Sequence, residues 1–592
     1  MQINSITFDF LCVLWYNFPM RKLLKYLRHY KLESILAPFF KLLEAAFELI
    51  VPLIVASIVD DGVNGGRGAG YVVGMCLVLV GLGVVGLISS VTAQYFAAKS
   101  AVGFSKELRS DLFAKMQSLS YSQIDGIGTS RMITRMTSDV NQIQSGVNMV
   151  LRLFMRSPFI VFGAMILAFT ISVAAGTVFA ITIAVLCVVV FGIMLITIPL
   201  YKNSQANLDR LTASTRQTLV GVRVLRAFCK EEEEIKTFSE RNGALCASQK
   251  FAGLISALMN PLTYAIINVG TIILLNTGAI EVNSGALSQG DVIALYNYMA
   301  QILVELIKLA NLIITVTKSF ACAGRVNEVF AMPCEISQAK ESVAAAGGHY
   351  IEFRDVCARY TNGANALTDI SFTAEKGQTI GVIGGTGAGK STLVNLIPHF
   401  YSASEGSVSV DGMNVNDAGD EKMRGLCGVV PQRAVLFRGT IRENMQWGNQ
   451  GATDEEIIKA IDCACASDVV SSKDGGLDAY VEQGGKNFSG GQRQRLTIAR
   501  ALVKRPEILI LDDSASALDY ATDARLRANL RTLDYNPTVF IVSQRTSSIR
   551  NADKILVLDN GHLVGLGTHE QLLESCELYR EIHYSQYQKE GA

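Results

Sequence analysis

From Ser157 to Tyr201 no side chain carries a charge. As a single helix that run would reach about 68 Å, roughly twice the apolar thickness of a bilayer. It therefore reads as two membrane passes joined by a tight hairpin, expected at Ala174-Ala175-Gly176, where small residues interrupt the bulky ones. Ala69 to Ala98 and Phe251 to Ile280 are also uncharged and each is long enough to span once. Two further passes, near Ile35 to Val59 and Val292 to Thr317, carry a few charges. The pattern predicts an all-α membrane domain of six long helices. After an alanine- and glycine-rich stretch, hydropathy drops near Tyr350 and short apolar runs alternate with helical patterns, as in a soluble α/β domain.

The expected division is a membrane domain at 20–331, a linker at 332–349 and the α/β domain at 350–592. Residues 1–19 are apolar and aromatic without the basic start and cleavage site of a secretory signal, and read as an N-terminal extension ahead of a second start at Met20. Lys99 to Arg156 holds eight basic residues and Lys202 to Lys250 nine, whereas the alternate loops hold only Arg67. By the positive-inside rule both termini and the α/β domain face the cytoplasm. The two basic stretches look helical, so the membrane helices are expected to run on beyond the bilayer.

Lysine plus arginine and aspartate plus glutamate number 53 each, which leaves no net field for a nucleic-acid partner. The twelve cysteines lack metal-ligand spacing, and Cys463 with Cys465 reads as a packed pair of reduced thiols rather than half of a zinc site.

Residues 379 to 392 read TIGVIGGTGAGKST, an apolar strand, a glycine turn and a helix start. This is the context of a phosphate-binding loop. The backbone of Gly384, Gly385, Thr386, Gly387, Ala388 and Gly389 can close on phosphate oxygens, Lys390 supplies a positive charge, and Ser391 and Thr392 open the helix, with Ser391 suited to Mg2+. Downstream, EILILDD at Glu507 to Asp513 is an apolar strand ending in acids, where Asp512 is suited to hold the same ion. ATP and Mg2+ are the expected cofactors.

Between these stretches lies NFSGGQRQR, residues 487 to 495. Here the chain resembles the ATP-binding cassette (ABC) family, whose signature is matched by Ser489, Gly490, Gly491 and Gln492. The resemblance extends in order to Tyr360 as the adenine-stacking aromatic, Gln432 as the Q-loop glutamine reaching the metal, and SALD ending at Asp519 as the D-loop. Six passes before one cassette resemble a half-transporter of the type I exporter kind, which implies a second half-transporter as partner. In such a dimer Ser489 to Gln492 and Asp519 serve the partner's ATP. The resemblance also marks Tyr121 to Ser130 and Val222 to Lys230 as coupling helices that dock on the cassettes.

Two positions depart from the family pattern. Asp513 stands where a catalytic glutamate is usual, and Gln544 where a switch histidine is usual. The combination resembles the degenerate half of heterodimeric bacterial multidrug-type exporters, in the cell membrane of a bacterium. A homodimer in which Asp513 suffices and a non-pumping ATP-sensing regulator are the alternatives. Lys41, Glu44, Glu48, Glu305 and Lys308 fall at membrane depth and are candidates either for a pocket taking a small amphiphilic substrate or for a structural role.

Overall fold

The computed structural model describes residues 19–333, 349–360 and 365–586. The expected extension at 1–19 and the linker at 332–349 fall for the most part outside them. The chain forms two compact units. One comprises residues up to Lys115 together with Ser130–Met332. The other joins Met116–Thr129 to the residues from Pro333 onward.

In the first unit six helical stretches are long and apolar enough to cross a membrane: Met20–Asn64, Ala69–Gln117, Thr129–Ile171, Val173–Val220, Glu231–Asn283 and Gln289–Ala331. Each has 43 to 53 residues. At 1.5 Å per residue that is about 65 to 80 Å, so every one outruns the bilayer. The helices used below are α1 (Lys31–Ser57), α2 (Ala69–Gln117), α3 (Tyr121–Ile127), α4 (Val140–Leu153), α5 (Arg156–Ile171), α6 (Val173–Val220), α7 (Val222–Ala227), α8 (Glu231–Ala257), α9 (Met259–Asn283) and α10 (Gln289–Ala331).

The hairpin between α5 and α6 breaks at Ser172, before the Ala174-Ala175-Gly176 expected from sequence. Ser172 is extended (φ −150°, ψ 132°) and its hydroxyl accepts from the Ala175 amide at 3.2 Å, capping α6. Gly176 lies inside α6 instead, where the Phe169 ring occupies the space a Cβ would take. The fifth pass is likewise interrupted at Leu258. Pro261, with no N–H, cannot continue the ladder to the Ala257 carbonyl. The membrane core gathers Phe179, Leu186, Tyr298 and Ile302, all fully buried, and the Tyr298 hydroxyl donates to the Leu49 carbonyl at 2.6 Å.

The second unit carries two main sheets. Strands β1 (Ile351–Arg359), β2 (Asn365–Ala374), β4 (Glu405–Val410) and β5 (Met413–Asn414) form an antiparallel sheet in the order β2-β1-β4-β5. Strands β3 (Thr379–Gly384), β6 (Cys427–Val430), β9 (Ile508–Asp512), β10 (Thr538–Val542), β11 (Lys554–Asp559) and β12 (His562–Gly567) form the other, in the order β12-β11-β3-β10-β9-β6. The short pair β7 (Gly439–Thr440) and β8 (Tyr480–Val481) stands apart. All neighbours from β11 to β6 are parallel, and β3, β9 and β10 are almost wholly buried runs of Val, Ile and Leu. That composition is what a sheet covered on both faces requires.

Candidate functional site

The parallel register assembles the site. Val542 at the end of β10 pairs with Val382 on one side and Asp512 on the other, and Val430 at the end of β6 pairs with Leu511. The loops leaving β3, β6, β9 and β10 therefore emerge side by side at one edge, where open α/β sheets bind ligands. They enclose a cavity of about 320 Å3. Tyr360, Thr386 to Thr392, Gln432, Asp512, Asp513 and Gln544 line it, with Ala366 and Val542, which sequence reasoning did not single out.

Beyond β3 the chain turns through Gly387 and Gly389, both at left-handed φ (83° and 95°), into α11 (Lys390–Leu396). Gly389 has a second reason to be glycine, because a Cβ there would come within 2.6 Å of the Ala366 carbonyl oxygen. Lys390 folds back over its own loop and donates to the carbonyls of Gly384 (2.9 Å) and Gly385 (2.7 Å). Burial lowers its pKa against the pull of Asp513 and Asp512. An incoming phosphate would offer that ammonium a stronger partner than two neutral carbonyls.

Ser391 Oγ donates to Asp512 Oδ1 at 2.9 Å. These are hard oxygen donors, and Mg2+ characteristically takes one or two such groups together with substrate phosphates rather than an all-protein cage. No cluster of three or more metal-ligating side chains occurs among the described residues. Burial raises Asp512 above the ordinary carboxylate range, opposed by the Ser391 bond. Asp513 is raised by burial too, opposed by Gln432, whose Nε2 donates to Asp513 Oδ2 at 3.3 Å. The two meet because one lies two residues past each end of the paired Val430 and Leu511. Asp513 adopts φ 46°, an unusual left-handed conformation outside glycine, and its amide donates to the Val542 carbonyl at 3.0 Å.

Ser489 to Gln492 and Asp519 do not line this cavity. Farther along the chain than α12 (Asp420–Leu426), Ser489 caps helix α13 (Gly490–Val503): its Oγ accepts from the Gln492 amide at 3.3 Å and its own amide donates to Gln492 Oε1 at 2.9 Å. Gly491 lies against the Ala517 carbonyl, and Gly490 has open space at its Cβ position. The helix N-terminus is thus left clear for an anion supplied from outside. Asp519 caps helix α14 (Tyr520–Arg531) through the Thr522 amide at 2.8 Å. Cys463 and Cys465 pack against the helical core of this unit.

The charged candidates at membrane depth form one network, centred on a residue that sequence reasoning counted only as an orientation marker. Arg156 bonds Glu305 Oε1 at 2.6 Å and Glu48 Oε2 at 2.7 Å, tying α5 to α10 and α1. Glu44 accepts from Lys41 at 2.5 Å, and Glu305 also takes Ser157 (2.8 Å) and Lys308 (2.8 Å). Glu48, Arg156 and Glu305 lie about 22 to 24 Å along the helix from Asn64, Ile171 and Gln289, the nearest ends of their candidate spans, within the depth of a ~30 Å bilayer core that starts at those ends. Three acids face three bases. The network has the form of a structural tie between α1, α5 and α10.

Comparison with known proteins agrees with this geometry. Residues 34–306 match the ABC transporter transmembrane region and residues 367–516 the ABC transporter cassette. An uncharacterized ABC transporter ATP-binding protein of Bacillus subtilis, YfiB, is 34% identical over 97% of this chain and 100% of its own length. One of Mycobacterium tuberculosis is 35% identical over 95% of this chain and 97% of its own. The solved structure of a bacterial Atm1-family ABC exporter with ATP bound is 24% identical and has the same fold, with a TM-score of 0.79 over 96% of this chain and 99% of that one. The chain belongs to the ABC transporter family: it is an integral membrane, ATP-driven exporter subunit of the type I fold, six membrane helices followed by one ATP-binding α/β cassette.

Proposed function

We propose that this chain is the weakly hydrolysing half of a heterodimeric exporter that moves a small amphiphilic substrate out of the cytoplasm. The observation that carries the reading is the pairing of Asp513 and Gln544 in one cavity with Lys390. Asp513 is one methylene shorter than glutamate and is already engaged by Gln432. A misplacement of about 1 Å costs a general base on the order of a hundredfold in rate. Gln544 can donate to a γ-phosphate but cannot exchange a proton with it. ATP at this site would act as a clamp, its base stacked on Tyr360, with Ser391, Asp512 and Gln432 holding Mg2+, which would neutralise phosphate charge there.

Ser489 to Gln492, capped but open at Gly490, would meet the γ-phosphate of the partner's ATP, and Asp519 would lie alongside. The second coupling segment supports a two-chain assembly. Val220, Val224 and Phe228, in and beside α7, are 60% exposed or more, an apolar tip that a partner cassette would cover. The relatives are bacterial, and the basic residues beside the spans favour a cell membrane with cassette and termini on the cytoplasmic side.

The test is ATPase activity of the chain purified alone and with a partner half-transporter that carries glutamate and histidine. Low activity alone and high, Ser489-dependent activity in the pair is expected. A homodimer relying on Asp513 is the second reading, favoured by the carboxylate that Asp513 retains. Brisk Lys390-dependent turnover by the chain alone would select it.

A further inference from the structure

Tyr360 separates two cavities. On one side is the nucleotide cavity. On the other is a cavity of about 210 Å3 lined by Ser120, Ser122, Tyr401 and Arg424, and the two have only Tyr360 and Thr392 in common. Tyr360 directly follows Arg359, the last residue of β1, and its hydroxyl is hydrogen-bonded to Thr392 Oγ1 at 2.9 Å. Its ring meets the Tyr401 ring edge-on, with centroids 5.2 Å apart and planes at 84°.

Tyr401 leads to α3, which belongs to the same compact unit. The Tyr401 hydroxyl donates to Asp125 Oδ2 at 2.8 Å. Beside it, the Tyr121 ring of α3 lies 4.5 Å from Phe400 and 6.4 Å from Tyr401. The floor under these rings is stiff. Arg424 lies over both Tyr121 and Phe400, at 5.9 and 5.7 Å from their centroids, and is held by Asp420 Oδ2 at 2.8 Å. Asp420 also engages His399 at 2.6 Å, and His399 sits at φ 54°. A rotated Tyr360 ring would therefore press on the Tyr401 ring, whose hydroxyl is tied to α3.

We propose that Tyr401 is a positioning residue that couples Tyr360 to α3, so that adenine stacked on Tyr360 is felt at α3 through the bond from the Tyr401 hydroxyl to Asp125. This rests on the reading of Tyr360 as the base-stacking aromatic. The ring and the hydroxyl of Tyr401 then have separable roles: the ring supports Tyr360 edge-on, and the hydroxyl carries the link. A residue that merely fills space would be replaced without loss by phenylalanine.

The experiment uses the full chain in lipid nanodiscs, with ATP affinity read by displacement of a fluorescent ATP analogue and amide hydrogen exchange followed over residues 116 to 129 with and without ATP. In the wild type, ATP slows exchange in Tyr121 to Ile127. Tyr401→Phe is expected to bind ATP with wild-type affinity yet lose this protection by about fivefold, the worth of one hydrogen bond. Asp125→Ala should behave the same way, while Asp125→Asn, whose amide oxygen still accepts, should keep the protection. Tyr401→Ala should lose the protection and also weaken ATP binding about fivefold by removing the edge contact. Full ATP-dependent protection in Tyr401→Phe and Asp125→Ala would overturn the link. Wild-type affinity in Tyr360→Ala would instead remove the stacking reading, and the proposal with it.

Discussion

Replacing Arg156 by methionine is the most demanding test of the membrane domain. The substitution keeps length and removes the charge that bonds Glu305 at 2.6 Å and Glu48 at 2.7 Å. Glu305 is the side chain at risk, because it is only 5% exposed and stays at membrane depth. Breaking a buried ion pair from one side costs about 3 to 5 kcal/mol. Lys308 and Ser157 still reach Glu305 at 2.8 Å each, which puts the expected cost near the lower end, about 3 kcal/mol. For a domain of this size that corresponds to roughly 6 °C in melting temperature. The assay is the fraction of monodisperse protein surviving a temperature series in detergent, read by size-exclusion chromatography. Arg156→Met with Glu305→Gln should recover part of the loss, since the deeply buried Glu305 charge is removed, while Glu48 and Lys308, which each lose a partner, are 40% exposed or more. A single variant as stable as the wild type, or a double variant no better than the single, would refute the network as a structural tie.

Four other outcomes follow from the cassette. Because burial raises the native pKa of Asp512 above its unfolded value, the folded site binds more protons between those two values. The nucleotide-free cassette should therefore gain stability as pH falls through that window and lose it as pH rises. Asp512→Asn should raise the nucleotide-free melting temperature at pH 7 and abolish the further rise given by Mg2+ and ATP, both read by thermal scanning. Gly389→Ala, with its left-handed φ and the Ala366 carbonyl against the new Cβ, should cut ATP affinity more than tenfold by equilibrium binding. Ser489→Ala should cost the cap of α13 about 1 kcal/mol and depress ATPase of the assembled pair while leaving ATP binding at Lys390 intact.

Much of the nucleotide cavity was legible in sequence because each part is local: a buried strand, then within two or three residues the group that serves the ligand. Thr386 to Ser391, Asp512 and Gln432 lie at or just past the ends of β3, β9 and β6 in that way. What was not legible depends on distant parts of the chain. Asp513 bonds Gln432 only because β6 and β9 pair in one register. Arg156 sits where a basic stretch meets an apolar run, and its acidic partners are 108 and 149 residues away. Asp125 and Tyr401 are 276 residues apart, and although Tyr121 to Ser130 stood out as a segment, nothing local marks the pairing. The hairpin was misplaced by a few residues because small residues suggest a turn, whereas a serine able to cap the next helix decided it.

On the proposed reading, Asp513 and Gln544 disable hydrolysis at an otherwise complete ATP site. The direct measurement is steady-state ATPase in nanodiscs of the chain assembled with a partner half-transporter whose own catalytic glutamate is replaced by glutamine, wild type against Asp513→Glu with Gln544→His in this chain, each with and without Lys390→Ala. The account predicts near-background turnover for the wild type and a gain of about a hundredfold, abolished by Lys390→Ala, for the double variant. Fast, Lys390-dependent hydrolysis by the wild type, unchanged in the double variant, would contradict it.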